Sequence, residues 1–257
     1  MSFSSFMSFF FYTFAPEMAK NETQIAQEKL WKKINGRFHE VCEQYNLLQD
    51  GDKVLIGLSG GKDSLLLTEL LGAQARIYVP KINVHAVHVR VQGRNYQSDT
   101  HYLETFCQQA GVPFEVLDTQ IVGEEKKEPC FLCSWYRRKA LLDKAQVLGC
   151  NKIALGHHRD DVLQTLLMNL IYEGRCTSIP PLLPLDKMPI SFIRPLWGID
   201  EQDITTYASL RNYHKQVHLC PFEKITARTQ MAELLSQLQT LNPHVRESLI
   251  HTLTTHQ

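Results

Sequence analysis

Neither sign of charge is in excess in this chain: 27 Lys and Arg balance 27 Asp and Glu over 257 residues. Any hold on nucleic acid must therefore come from a local patch. There is no run of 18 or more apolar residues, which excludes a membrane-spanning helix. The seven cysteines are odd in number and widely spaced, which excludes the dense disulfide framework of a small secreted fold. A reducing, cytoplasmic compartment is expected, with the thiols free or ligating metal. The N-terminus also lacks the basic segment of a secretory signal, because no Lys or Arg precedes Lys20. Six of the twelve Phe crowd into the first sixteen residues. We read residues 1–17 as an over-extended start, with Met18 as initiator and a targeting peptide as the alternative, and leave them out of the fold. What remains is 44% hydrophobic. A chain of this length buries roughly 70 to 75% of its unfolded surface, so wholesale disorder is excluded.

Along the chain, helical and extended patterns alternate. Leu30, Trp31, Ile34, Phe38, Val41 and Tyr45 recur at three- and four-residue steps, which predicts a helix over residues 21–48. Residues 53–58 (KVLIGL) form a short continuous apolar run, as in a strand buried on both faces of a parallel sheet. Helices are expected at 65–75, 98–110, 134–148 and 161–172, and strands at 82–91, 113–121, 151–155 and 192–197. Residues 179–189 hold Pro180, Pro181, Pro184 and Pro189 and predict a loop. The rest reads helical, interrupted near Pro221 and Pro243. The expected fold is α/β: a doubly wound, Rossmann-like, parallel five-stranded sheet with an N-terminal helix and a helical C-terminal extension. In such a sheet ligands bind beyond the carboxyl ends of the strands. The conspicuous polar residues fall at those predicted ends.

Ser59-Gly60-Gly61-Lys62-Asp63-Ser64 joins the first strand to a helix. Paired glycines and helix N-terminal amides suit a polyphosphate, Lys62 adds a positive charge, and Asp63 suits Mg²⁺. The spacing is not that of a Walker A loop. With this hexapeptide the chain resembles the PP-loop ATP pyrophosphatases. Downstream, Cys130-Phe131-Leu132-Cys133, Arg137-Arg138, Leu155-Gly156-His157-His158-Arg159-Asp160-Asp161 and Leu163-Gln164-Thr165 resemble the tRNA 2-thiocytidine synthetases within that family. The resemblance covers roughly residues 25–225 and implies an adenine nucleotide alpha hydrolase-like domain that binds ATP. It implies ATP contacts from the hexapeptide, His88, Gly156 and His157, and catalytic roles for Asp160, Asp161 and Arg137.

Cys130 and Cys133 alone are ambiguous between a redox dithiol, half a zinc site and part of a cluster site. By the resemblance they join Cys220 in holding a [4Fe-4S] cluster with one iron left open to carry sulfide. Zinc is the alternative, since His214 and His218 lie close to Cys220. The family often places a second Cys-x-x-C at the third ligand, whereas this chain reads Cys220-Pro221-Phe222-Glu223. Cys42, Cys107 and Cys150 read as core residues, and Cys176 as a loop residue or a persulfide carrier.

Arg138, Arg159, Arg175 and Arg194, with Lys187 and Lys139, are expected to gather positive charge at one sheet edge for tRNA phosphates. Phe131, Trp135, Tyr136 and Trp197 are expected to divide between base stacking and core packing. The resulting expectation is an ATP-dependent tRNA thiolase. It adenylates C2 of an anticodon-loop cytidine and replaces the oxygen with sulfur, with ATP, Mg²⁺ and the cluster as cofactors. The resemblance also implies a sulfur donor such as a cysteine desulfurase, a homodimer and no membrane. A 2-thiouridine synthetase, a lysidine synthetase or a non-catalytic metal- or nucleotide-binding module are the alternatives. In this division residues 18–50 form an N-terminal helical segment, 51–225 the thiolase domain and 226–257 a C-terminal helical extension.

Overall fold

The computed structural model describes residues 21–92, 98–121, 129–214 and 227–255, without the side chains of residues 129 and 130. The proposed start at Met18 therefore lies outside the described residues, as do His218 and Cys220. Helix α1 (Glu22–Gln44) begins at a reciprocal cap: Asn21 Oδ1 accepts from Gln24 N at 2.8 Å and Gln24 Oε1 accepts from Asn21 N at 3.0 Å. It buries Ile34, Phe38, Val41 and Cys42. Then follow β1 (Lys53–Gly57), α2 (Lys62–Ile77), β2 (Asn83–Gln92), α3 (Thr100–Ala110), β3 (Phe114–Gln120), α4 (Pro129–Leu148), β4 (Lys152–Ala154) and α5 (Arg159–Met168). A π-helical turn (Asn169–Glu173) extends α5 and closes at Gly174, whose φ is +64°. The chain ends with β5 (Leu182–Pro184), β6 (Ser191–Ile193), α6 (Glu201–Leu210), α7 (Ala227–Leu241) and α8 (Val245–Thr255). No described helix is long and apolar enough to cross a membrane.

The sheet order is β3-β2-β1-β4-β6-β5, with every pair parallel except β5 against β6. The five expected strands are thus present and parallel. The correction is a sixth, antiparallel strand inside the stretch expected to be a loop. Leu182 pairs with Ile193, Leu183 with Phe192 and Pro184 with Ser191. Pro184 is tolerated because β5 is an edge strand, where a missing N–H interrupts no ladder.

Alternation along β1 divides the core. Val54 and Ile56 join the larger cluster with Phe38 of α1, Leu66 and Leu70 of α2, Leu103 of α3 and Ile204 of α6. Leu55 faces the other way, onto Leu141 and Ala145 of α4 with Ile153 and Phe192. Helices therefore cover both faces, and β1 is buried from Val54 to Ile56. From β1 the chain proceeds outward through β2 and β3, then returns to place β4 on the other side of β1. Strand order reverses between β1 and β4, and in sheets of this kind the crevice at the carboxyl ends of such a pair is where ligands bind.

Candidate active site

The crevice is built from the turn after β1 and the turn after β4. In the first, Gly60 adopts φ +88°, a left-handed conformation that side chains resist, and Gly61 caps α2. The Ser64 hydroxyl knits the loop. It accepts from Gly60 N at 3.1 Å, donates to Gly61 O at 2.9 Å and lies 3.1 Å from Ser59 Oγ. Gly61 N is spent on Ser59 Oγ at 3.3 Å. The first helical bond is Leu65 N to Gly61 O, so the helix itself offers no acceptor to the amides of Lys62, Asp63 and Ser64, an end that suits an anion. Ser64 itself is 4% exposed and holds the loop's shape.

Two further residues expected to touch ATP act on the loop from behind. His88 is buried, with Nδ1 2.7 Å from Leu58 O and Nε2 2.9 Å from Ser98 Oγ, so it braces the strand end just before Ser59. Gly156 packs so closely that a Cβ there would lie 3.2 Å from Asp63 C and Ser64 N.

The second turn ends at α5, whose cap residue His158 donates its backbone N–H to Asp161 Oδ2 at 3.1 Å. His158 Nε2 stands among three carboxylates, 3.6 Å from Asp161, 3.7 Å from Asp63 and 4.0 Å from Glu201. Lys62 Nζ is 3.0 Å from Asp63 Oδ1 and 2.9 Å from Glu201 Oε1. Burial works to lower the Lys62 pKa, but these two carboxylates outweigh it and hold the ammonium above its ordinary value. Burial drives His157 the other way, down to about 4, with Arg194, Arg228 and Arg138 adding to the shift and Asp161 opposing it. His157 is thus neutral at physiological pH. Arg194 falls to about 10 through burial and the charge of Arg138, and stays protonated.

Asp160 and Asp161 each have both oxygens engaged, by different partners. Asp160 is 9% exposed and both oxygens are engaged: Oδ2 accepts from Glu201 N at 2.8 Å, and Oδ1 accepts from both terminal nitrogens of Arg246. Asp161 borders His157 and His158, with Arg228 Nη1 on its Oδ1 at 3.0 Å. Sequence reading missed Glu201, Arg228 and Arg246.

The expected tRNA patch is only partly present. Two of its four arginines are used inside the protein. Arg194 is 7% exposed and donates to Pro180 O at 2.7 Å, and Arg159 is held by Asp200 at 3.3 Å and Glu247 at 3.1 Å. Arg138 and Arg175 are exposed, with Glu173 3.7 Å from Arg175. Lys187 lies in the turn before β6, at the amino end of the parallel strands and so opposite the crevice. Lys139 pairs with Asp143 along an exposed helix face. Trp197 is buried, with its ring on Tyr45 and Nε1 donating to Ile179 O at 2.9 Å, so it is core. Phe131 and Trp135 are exposed at the start of α4, and Trp135 meets Tyr136 edge-on. Arg137 is half-buried one turn after Cys133.

Cys42, Cys107 and Cys150 are buried core residues as expected, and desolvation raises all three thiols, Cys42 and Cys107 to about 12. Cys176 is exposed. Cys133 is a half-buried free thiol, and Cys130 precedes it by three residues in α4. Thiolates are the donors that suit a soft metal or an iron–sulfur cluster. Among the described residues no group of three or more His, Cys, Asp or Glu could hold a metal ion. The backbone N–H of His214 donates to Tyr102 Oη at 3.0 Å, and its ring lies against Tyr102, with Nδ1 3.8 Å from Asp99.

Residues 30–215 match the PP-loop domain family. The chain is 36% identical over 245 residues to a tRNA-cytidine(32) 2-sulfurtransferase of Paraburkholderia xenovorans, covering 92% of this chain and 72% of that protein. It is 32% identical over 241 residues to the protein of the same name from Neisseria meningitidis serogroup C, covering 91% and 75%. Among solved structures it is similar to the U34-tRNA thiolase NcsA from Methanococcus maripaludis with its [4Fe-4S] cluster. There the TM-score is 0.74 at 25% identity, over 87% of this chain and 78% of that one.

Proposed function

This chain belongs to the PP-loop domain family and, within it, to the tRNA-cytidine(32) 2-sulfurtransferases, and from that premise we propose that it is an ATP-dependent tRNA thiolase that converts a cytidine to 2-thiocytidine. The observation that carries the reading is the breadth of the match. The family region, residues 30–215, includes the phosphate loop, Cys130 and Cys133, and the Gly156 to Asp161 string together. A lysidine synthetase has no use for the cysteines, and the named relatives favour cytidine over uridine.

In this mechanism the C2 oxygen of the cytidine attacks the α-phosphate of ATP and pyrophosphate leaves, so a poor leaving oxygen becomes AMP. The amides of Lys62, Asp63 and Ser64 and the Lys62 ammonium meet the negative charge that develops on the phosphates. Asp63, on the loop itself, is the carboxylate that would meet Mg²⁺; both oxygens of Asp161 are taken by His158 N and Arg228, and both of Asp160 by Glu201 N and Arg246. His157, held neutral by burial, adds no charge of its own beside Asp161. Arg138 and Arg137 on α4 lie toward the tRNA, and exposed Phe131 and Trp135 offer a stacking surface. Cys130, Cys133 and Cys220 would hold the [4Fe-4S] cluster, which when bound supplies the sulfur that replaces the adenylated oxygen. A sulfur donor such as a cysteine desulfurase, a second copy of the chain and a cytoplasmic location complete the reading.

The test is an anaerobic visible spectrum with iron and zinc analysis of the wild type beside Cys130→Ala and Cys220→Ala, together with tRNA-dependent AMP formation. The expected result is iron–sulfur absorbance with about four iron per chain, lost in both variants, and AMP released only with tRNA. Stoichiometric zinc without that absorbance would overturn the sulfur-delivery step.

A further inference from the structure

Glu201 opens α6 at the carboxyl edge of the sheet and has no part in the chemistry above. Its carboxylate receives Lys62 Nζ at 2.9 Å, and its backbone N–H donates to Asp160 Oδ2 at 2.8 Å. The other oxygen of Asp160 is gripped by Arg246, with Nη1 at 2.9 Å. A series of ties thus runs from α8 through the start of α5 to the start of α6, and ends on the lysine of the phosphate loop. The inner ties are sheltered, with the Arg246 and Asp160 side chains 16% and 13% exposed. The outer one is open, with Glu201 44% and Lys62 29% exposed. A rigid base with a yielding tip is the arrangement needed to aim a flexible ammonium.

Asp63 also pairs with Lys62, but as its chain neighbour it moves with the loop and gives no outside reference. Glu201 comes from 139 residues further along the chain and fixes the ammonium relative to the sheet. The simpler account is that Glu201 is only an acid in a first helical turn, favoured by the helix dipole. The two accounts differ in sign. If Glu201 were only a negative charge near the phosphates, removing it would tighten ATP binding. If it aims Lys62, removing it weakens binding.

We propose that Glu201 is a positioning residue for adenylation, holding Lys62 at the mouth of the phosphate loop, and that Arg246 acts through Asp160 to set where Glu201 stands. This rests on the reading that the loop binds ATP. MgATP affinity is measured by equilibrium titration on the full chain, alongside kcat and KM for tRNA-dependent AMP formation and thermal unfolding. Glu201→Gln and Glu201→Ala weaken MgATP binding about tenfold and raise KM more than they lower kcat, while the unfolding temperature changes little. Arg246→Ala weakens binding by a similar factor in the wild-type background. In the Glu201→Ala background it adds less than about twofold, because the two residues act in series. Arg246→Lys keeps the charge without the fork and falls between, which covers the case in which the alanine variant does not fold. Asp203→Ala, two residues along α6 and paired outside the site with Lys33 at 2.7 Å, leaves MgATP binding unchanged. Unchanged or tighter binding in the Glu201 variants, or full additivity with Arg246→Ala, overturns the proposal. A wild type that binds no MgATP removes the reading of the loop itself, and this inference with it.

Discussion

Gly156 shows how little room surrounds the phosphate loop. An added methyl at 3.2 Å from the backbone of Asp63 and Ser64 meets atoms that no side-chain rotation can move. Gly156→Ala is expected to weaken MgATP binding about tenfold and lower the unfolding temperature by a few degrees, read by titration and calorimetry. His157 gives a pH signature. Its folded pKa, about 4, lies below the ordinary 6.5, so as pH falls the unfolded chain binds this proton first. The contribution is fully present above pH 6.5, declines between 6.5 and about 4 and levels off below. His157→Gln is expected to flatten that segment of the stability curve relative to wild type. An unchanged slope would mean that His157 does not carry the burial described. Conversely, the thiols of Cys42 and Cys107 are buried in the core and pushed up to about 12, so neither suits a metal ligand.

Elements with a local signal were legible in the sequence. The apolar run of β1, the glycines after it and the three- and four-residue steps of α1 each draw on neighbouring residues, and strand, turn and helix follow where the pattern puts them. Strand β5 was hidden because proline is ordinarily a strand breaker, and only its place at the sheet edge makes Pro184 acceptable. The misplacing of Lys187 follows from that omission, since the hairpin turns the chain to the opposite end of the sheet. Glu201, Arg228 and Arg246 were illegible for another reason. Their ion-pair partners lie 139, 67 and 86 residues away, and a pair across that separation leaves no spacing to read. Helix packing offers its own test. At Gly72 a Cβ would stand 2.5 Å from Ala110 O, where α2 meets the end of α3. Gly72→Ala is expected to cost about 2 kcal/mol or more of stability in denaturant unfolding, with MgATP affinity unchanged in whatever folds.

For the whole molecule, balanced charge means that tRNA is held by a small set of groups rather than by a general field. With Arg159 and Arg194 engaged internally, Arg138 and Arg175 are the exposed members of the expected set. Arg138→Ala is expected to weaken tRNA binding several-fold and to reduce the salt slope by about one, leaving MgATP affinity unchanged. Helices α7 and α8 take part in the same economy of placement, since they pack on α5 and bring Arg228 and Arg246 to the two aspartates. The most direct test of the account is nucleoside analysis by mass spectrometry of tRNA incubated anaerobically with the cluster-loaded protein, MgATP and sulfide. The account predicts 2-thiocytidine formed in step with AMP, and neither product with Lys62→Ala. AMP release without a thiolated cytidine, or thiolation that does not require ATP, would contradict it.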